Sequence, residues 1–122
     1  MGACYSVELK VNIKDEKGVI EALNNHMNND TSAVYNYTTV ETFDDLMRVL
    51  LADHQRKVDI YKEKKWCYYE NDFDASYGWE RVMLEWFEVM APFLSNGSKI
   101  IICPDDGIDE VVVRDGKCIW VR

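Results

Sequence analysis

Residues 79–94 carry the helical pattern of apolar positions around which we expect the chain to pack. At 100° per residue, their apolar side chains cover an arc about twice as wide as the arc of about 100° shown by a helix that rests on one surface. We therefore predict a core helix that is covered on two sides, by a sheet beneath it and by other helices beside it. Pro92 removes one backbone amide, so the helix is expected to kink or end near Ala91. The polar strip of this helix consists of Arg81, Glu85 and Glu88.

The N-terminal part of the chain predicts a strand, a helix and a second strand. Apolar and polar side chains alternate over residues 5–13, as in a strand with one dry face and one solvated face. Asp15 can cap a helix that runs to about Asn28. Residues 33–40 are rich in the β-branched and aromatic side chains that favour strands. Parallel and antiparallel pairing of the two strands are both open.

The next part of the chain predicts a second helix and then a less regular region. Thr42 precedes Asp45 by three residues, which is a near capping box, and the apolar spacing that follows predicts a helix over residues 43–54. Residues 55–71 contain two stretches with apolar and aromatic side chains on either side of a charged segment. Two short strands around a charged turn are the first interpretation, and one strand followed by an irregular loop is the second.

The C-terminal third of the chain gives the clearest strand pattern. Asp115-Gly116 is a two-residue loop of the kind that forms type I′ hairpins. These strands have apolar side chains on both faces, so they are central or their second face meets another surface. A homo-oligomer formed through that face is one hypothesis. The predicted strands are Lys99–Cys103, residues 108–114 and residues 117–121, and the hairpin places Val113 opposite Cys118, Val112 opposite Ile119 and Val111 opposite Trp120.

Together these elements predict an α+β fold in a single domain that spans residues 1–122. Its mostly antiparallel sheet has three helices packed on one face and ends in a C-terminal β-meander. A chain of 122 residues buries about two-thirds of its unfolded surface without disulfides or metals.

The formal charge of −8, with a sequence pI near 4.7, bears on the class of partner. A surface of this sign repels phosphate groups, so we expect no direct binding to nucleic acid or to an anionic membrane, except through a local basic patch. The sequence has no signal-peptide pattern and no long apolar segment, and its cysteines lack C-x-x-C spacing. We therefore expect a reduced, cytoplasmic protein whose thiols are free and buried. The cysteines are Cys4, Cys67, Cys103 and Cys118.

The acidic segment before the core helix matches a calcium-binding loop only in part. Asp72, Asp74 and Ser76 occupy positions 1, 3 and 5 of an EF-hand-like count, whose positions 6 and 12 require Gly and Glu. Those two positions hold Tyr77 and Met83, so the favoured interpretation is a helix-capping loop with Asp74 or Ser76 as N-cap. The chain has no nucleophile elbow, P-loop, H-E-x-x-H or dinucleotide-binding pattern. We predict no metal site, no cofactor and no catalytic residues.

Residues 66–79 form the densest cluster of aromatic and acidic side chains in the sequence. Such a segment can cover the core, line a pocket or form a protein-binding patch. The negative charge and the missing catalytic motifs favour a small, acidic, non-enzymatic protein-interaction module, such as an inhibitor, immunity-type or anti-defence protein directed at a basic partner. The alternative is a small-ligand-binding or enzymatic domain with a pocket around the same segment. The residues predicted to contact a partner are Trp66, Tyr68, Tyr69, Glu70, Asp72 and Asp74.

Overall fold

The computed structural model describes residues 2–29, 40–52 and 55–122 of the chain. The described helices are α1 (Glu16–Asn29), α2 (Phe43–Leu51) and α3 (Trp79–Met90), and a 3₁₀ turn (Ala91–Phe93) follows α3 directly. The described strands are β1 (Gly2–Val11), β2 (Gln55–Tyr61), β3 (Lys64–Ser76), β4 (Lys99–Cys103), β5 (Asp109–Arg114) and β6 (Lys117–Trp120). The strand predicted over residues 33–40 lies outside the described residues, except for Val40.

The six strands in the described part of the chain form one antiparallel sheet in the order β2-β3-β1-β4-β5-β6. β3 lies between β1 and β2, and β1 lies between β3 and β4, so each helical connection passes over one intervening strand. This connectivity is the split β-α-β arrangement of ferredoxin-like folds, and the β5–β6 hairpin extends the sheet at one edge. The predicted α+β class, with its antiparallel sheet, three helices and C-terminal meander, is confirmed.

β1 is central to the sheet, and its alternating side chains separate a buried face from an exposed one. The predicted dry and solvated faces are thus confirmed, although the strand ends at Val11 and Ile13 makes only an isolated bridge with Leu94. The buried face continues into the neighbouring strands with Tyr69 of β3 and Ile100 of β4. The buried side chains of β1 itself are Ala3, Tyr5, Val7, Leu9 and Val11.

α3 is the core helix that the sequence predicts. Trp86 is 0% exposed, and Trp79 is half-buried with its indole nitrogen donating to the carbonyl of Leu50 at 2.9 Å. The α-helix ends at Met90, and the 3₁₀ turn that follows contains Pro92, as expected from the missing amide. The other fully buried side chains of α3 are Met83, Phe87 and Met90.

The predicted capping loop before α3 is wrong. Asp74 and Ser76 belong to β3, because pairing with β1 keeps the backbone extended as far as Ser76. The N-cap of α3 is Gly78, whose φ of 88° lies in the left-handed region that glycine adopts at little steric cost.

The boundaries of the first two helices follow their predicted caps. The carboxylate of Asp15 accepts a hydrogen bond from the Gly18 amide at 2.9 Å, and the hydroxyl of Thr42 accepts one from the Asp45 amide at 3.1 Å. α1 runs one residue beyond its predicted end, to Asn29, whereas α2 ends at Leu51, before the predicted position.

Two tight hairpins complete the sheet. β5 and β6 pair in the predicted register, with Val112 opposite Ile119. β2 and β3 form the predicted pair of strands around a charged turn, where Lys62 and Glu63 both have positive φ. β3 is thirteen residues long, however, and therefore extends far beyond the short strand that the sequence predicts.

Candidate functional site: the open face of the sheet

The three described helices lie on one face of the sheet, and we name the opposite side the open face. On β1 this side carries Cys4, Ser6 and Glu8, which are exposed, and Lys10, which is half-buried. An antiparallel sheet with one solvated side shows this alternation. No helix of the described residues covers the open face, which is therefore a candidate surface for a ligand or partner.

Five of the six predicted partner-contacting residues lie together on the open face. They occupy every second position of β3, so their side chains share one face of the strand. Tyr69 alone points to the other face, where it is 2% exposed and its ring meets Phe43 edge-on at 5.9 Å between centroids. Tyr69 is therefore a core residue and no part of this surface. We name the remaining five residues the β3 ladder: Trp66, Tyr68, Glu70, Asp72 and Asp74.

The register of the strands arranges the open face in rows of contrasting charge, because residues directly opposite each other in an antiparallel sheet share a face. One row is basic and the next row, two residues along each strand, is acidic. The basic row consists of Lys57, Tyr68, Lys10 and Lys99, from β2 to β4. The acidic row consists of Gln55, Glu70, Glu8, Ile101 and Glu110, from β2 to β5.

Beyond the acidic row, the open face stays acidic along β3. Asp72 lies opposite Ser6, and Asp74 lies opposite Cys4. Glu110, at the other end of the acidic row, is paired with Arg122, whose Nη2 and Nε lie 2.8 and 3.1 Å from the same carboxylate oxygen. The ion pair partly compensates the charge of Glu110, and Lys57 lies 3.7 Å from the Asp59 carboxylate opposite Trp66. The unpaired negative charge of these rows is therefore concentrated on β3 and the neighbouring Glu8.

Lys10 joins the aromatic end of the β3 ladder to the basic row. Its ammonium lies 5.0 Å from the centroid of the Trp66 ring and 5.9 Å from that of Tyr68. At these distances the quadrupole of each ring attracts the cation. The lysine therefore holds the two aromatic side chains against the sheet.

A depression of about 550 Å³ lies where the basic row meets the acidic row. Its volume falls in the range of about 300–1,000 Å³ that is typical of small-molecule sites. The side chains that line it from the two rows include Lys10, Lys57, Lys99, Tyr68, Gln55 and Glu70.

Of the four thiols expected to be buried, Cys67 alone is; Cys103 and Cys118 are half-buried, and Cys4 is exposed. Partial desolvation, and after it the negative charge of the neighbouring Asp74, raises the pKa of the Cys4 thiol. A raised pKa leaves less thiolate at neutral pH, and the thiolate is the nucleophilic form. The position therefore suits an inert surface thiol better than a catalytic one.

The acidic side chains of β3 are arranged as a strand and not as a metal-binding loop. Asp72, Asp74 and Ser76 lie in line along one face of extended backbone, so they do not surround a common point. Within residues 2–29, 40–52 and 55–122, no group of three or more His, Cys, Asp or Glu side chains is placed to hold a metal ion.

The residues of the β3 ladder stand out in the sequence, whereas the basic row beside them does not. Lys10, Lys57 and Lys99 come from three separate strands, and only the order and register of those strands bring them together. The alternation of residues 5–13 did place Lys10 on the solvated face. The lysines of β2 and β4 carry no comparable signal in the sequence.

Comparisons with protein-family models, with curated proteins and with solved structures give no match to this chain. In the part of the chain that the structure describes, every helix is too short or too polar to cross a membrane.

Proposed function

We propose that this protein is a non-enzymatic interaction module that binds a basic, extended segment of a protein partner along the β3 ladder. The observation that carries this proposal is the line of three exposed carboxylates, Glu70, Asp72 and Asp74, on a sheet face with no helix of the described chain over it. A fourth carboxylate, that of Glu8, lies directly opposite Glu70 on β1.

The spacing of the ladder selects the shape of the ligand. Alternate side chains of a strand are about 6.6–6.8 Å apart, twice the rise of about 3.3–3.4 Å per residue. An extended peptide has the same spacing between its own alternate side chains. A segment with Lys or Arg at every second position therefore meets Glu70, Asp72 and Asp74 one to one.

The two ends of the ladder give the bound segment a direction. The aromatic end, at Trp66 and Tyr68, lies beside Lys10, which repels cations, and beside Lys57, whose charge is partly compensated by Asp59 at 3.7 Å. The acidic end carries no lysine from the neighbouring β1 positions Cys4 and Ser6. A partner segment is expected to place its basic residues over the acidic end and an apolar residue over the aromatic end.

The test uses a synthetic peptide that alternates lysine and valine, with its binding measured by calorimetry. The triple variant Glu70→Gln/Asp72→Asn/Asp74→Asn is expected to bind the peptide roughly 3- to 150-fold more weakly, from the usual worth of three exposed ion pairs. Added salt is expected to weaken binding to the unmodified protein, because the contacts are solvent-exposed.

The matched control is Glu21→Gln/Glu85→Gln/Glu88→Gln, which removes the same number of charges from exposed helix positions. This control is expected to bind the peptide within about twofold of the unmodified protein. If both triple variants lose affinity equally, net charge and not the β3 ladder governs binding, and the proposal is wrong.

A small-molecule site is the second candidate, and one observation favours it. Lys10, Lys57 and Lys99 all line the depression of about 550 Å³, together with Tyr68. Such a site suits a small anion with several charges, for which tripolyphosphate is a suitable probe. This candidate is supported if tripolyphosphate binds saturably and the double variant Lys10→Gln/Lys57→Gln abolishes that binding. If tripolyphosphate does not bind, a site for small anions with several charges is excluded.

A further inference from the structure

β2 is an edge strand whose outer side has no partner in the described sheet. All seven of its residues, Gln55–Tyr61, pair with β3 on the inner side. The strand contains no proline, one of the residues that natural edge strands use to prevent pairing with another chain; lysine, another such residue, occurs once in it, at Lys57. Val58 is 40% exposed and Ile60 is 77% exposed, so apolar surface accompanies the unpaired backbone.

The sequence of β2 is complementary to itself in one register. When two copies of a strand pair antiparallel in one continuous sheet, opposite residues share a face, so the symmetry axis passes through a residue. Val58 is the midpoint of β2, and an axis through it pairs the strand over its full length. In this register Lys57 of each copy lies opposite the partner's Asp59, on the open face.

The neighbouring registers lose both the Lys–Asp complementarity and the pairing over the full length of β2. An axis through Lys57 places two lysines opposite each other, and an axis through Asp59 places two aspartates opposite each other. Like charges in directly opposite positions destabilise a sheet, and opposite charges stabilise it. Both shifts also shorten the paired segment, so charge and length select the same arrangement.

The other edge of the sheet does not offer such a match. β6 (Lys117–Trp120) has four residues, and its midpoint falls between Cys118 and Ile119. Full-length antiparallel pairing of two copies would therefore place side chains from opposite faces across from each other. Pairing of two copies along the β6 edge is therefore less favoured than pairing along β2.

We propose that two copies of this chain form a symmetric dimer by pairing β2 with the partner's β2, centred on Val58. The two sheets then become one continuous sheet. At the end of the basic row, Lys57 lies opposite the partner's Asp59, and beyond it lies the partner's Trp66. On the helix side, Ile60 packs against the aliphatic stem of the partner's Arg56. Two β3 ladders come to lie on one continuous face, separated by the paired edge strands.

The dimer is tested by analytical ultracentrifugation of the protein alone, so the result does not depend on any peptide ligand. The unmodified protein is expected to have twice the chain mass of 14.3 kDa. Lys57→Asp turns both Lys–Asp pairs across the dimer into pairs of two aspartates. Asp59→Lys turns both of them into pairs of two lysines. Each single variant is therefore expected to dimerise about tenfold more weakly or worse.

Mixing the two single variants provides the decisive arm of the experiment. In a mixed pair every Asp of one chain lies opposite a Lys of the other, so a heterodimer is expected at a concentration at which each variant alone is mostly monomeric. The double variant Lys57→Asp/Asp59→Lys restores the complementarity and is expected to dimerise like the unmodified protein.

The matched control, Lys17→Asp/Glu21→Lys on α1, exchanges the same charges away from β2 and is expected to stay dimeric. Circular dichroism of each variant checks that the fold is intact. A monomeric unmodified protein overturns the proposal. Single variants that dimerise normally, or mixed variants that stay monomeric beside a dimeric unmodified protein, also overturn it.

Discussion

Lys10 is the side chain at which the two halves of the open face meet. Its ammonium lies over the rings of Trp66 and Tyr68, while Glu8, two residues earlier on the same strand, belongs to the acidic row. The same lysine thus holds the aromatic end of the β3 ladder in place and limits the negative potential to the other end. Specificity for a basic segment then depends on which end of the ladder its cations reach.

The reactivity of the Cys4 thiol reports the negative charge at the acidic end of the β3 ladder. Because its pKa is raised, less thiolate is present at pH 8, and we expect Cys4 to react with iodoacetamide more slowly than an unstructured cysteine peptide. Asp74→Asn removes a neighbouring negative charge, which lowers the pKa and should speed the reaction. Peptide-resolved mass spectrometry measures the rate at Cys4 separately from the other cysteines.

The matched control for this reaction is Asp45→Asn, which removes one charge from α2. Its rate at Cys4 is expected to equal that of the unmodified protein. Equal rates for Asp74→Asn and Asp45→Asn would show that Asp74 does not act on the thiol.

At the scale of elements, α3 joins the core of the molecule through one face and meets solvent through the other. Trp86 is fully buried, whereas its neighbour Glu85 is exposed. Trp86→Ala is expected to lower the free energy of unfolding by about 3–5 kcal/mol, because it leaves a large cavity in the core. Glu85→Ala is expected to change it by no more than about 0.5 kcal/mol. Urea unfolding of both variants measures the difference, and similar losses would contradict the orientation of α3.

Elements whose patterns are local could be predicted from the sequence. The cap of α2 depends on Thr42 and the Asp45 amide three residues away, and the β5–β6 register depends on the two-residue turn at Asp115-Gly116. α3 shows its buried arc within its own sixteen-residue pattern. In each case the residues that decide the structure lie close together in the chain.

The full length of β3 could not be predicted, because long-range pairing overrides local preference. Asp and Asn are depleted in strands, and residues 71–76 therefore resemble a loop. In the structure Phe73 and Ala75 point towards the core, opposite Tyr5 and Ala3. The side-chain amide of Asn71 also donates to the Leu51 carbonyl at 2.7 Å, which ties β3 to the end of α2.

At the scale of the whole molecule, the net charge of −8 describes the open face incompletely. The net charge indicates an acidic surface, but the strand order places a basic row directly beside the acidic row. That row could not be predicted, since its lysines lie on strands whose pairing the sequence left open. We propose that the predicted partner surface and the neighbouring lysines together set the direction of a bound segment.

The proposed binding of a basic, extended segment along the β3 ladder can be tested by titrating isotope-labelled protein with the lysine–valine peptide. NMR chemical-shift changes of the backbone amides are followed during the titration. The largest changes are expected at Glu8, Glu70, Asp72 and Asp74, with smaller changes on α1 and α3. Changes that are spread over the helices, or that leave β3 unaffected at saturation, would contradict the proposal.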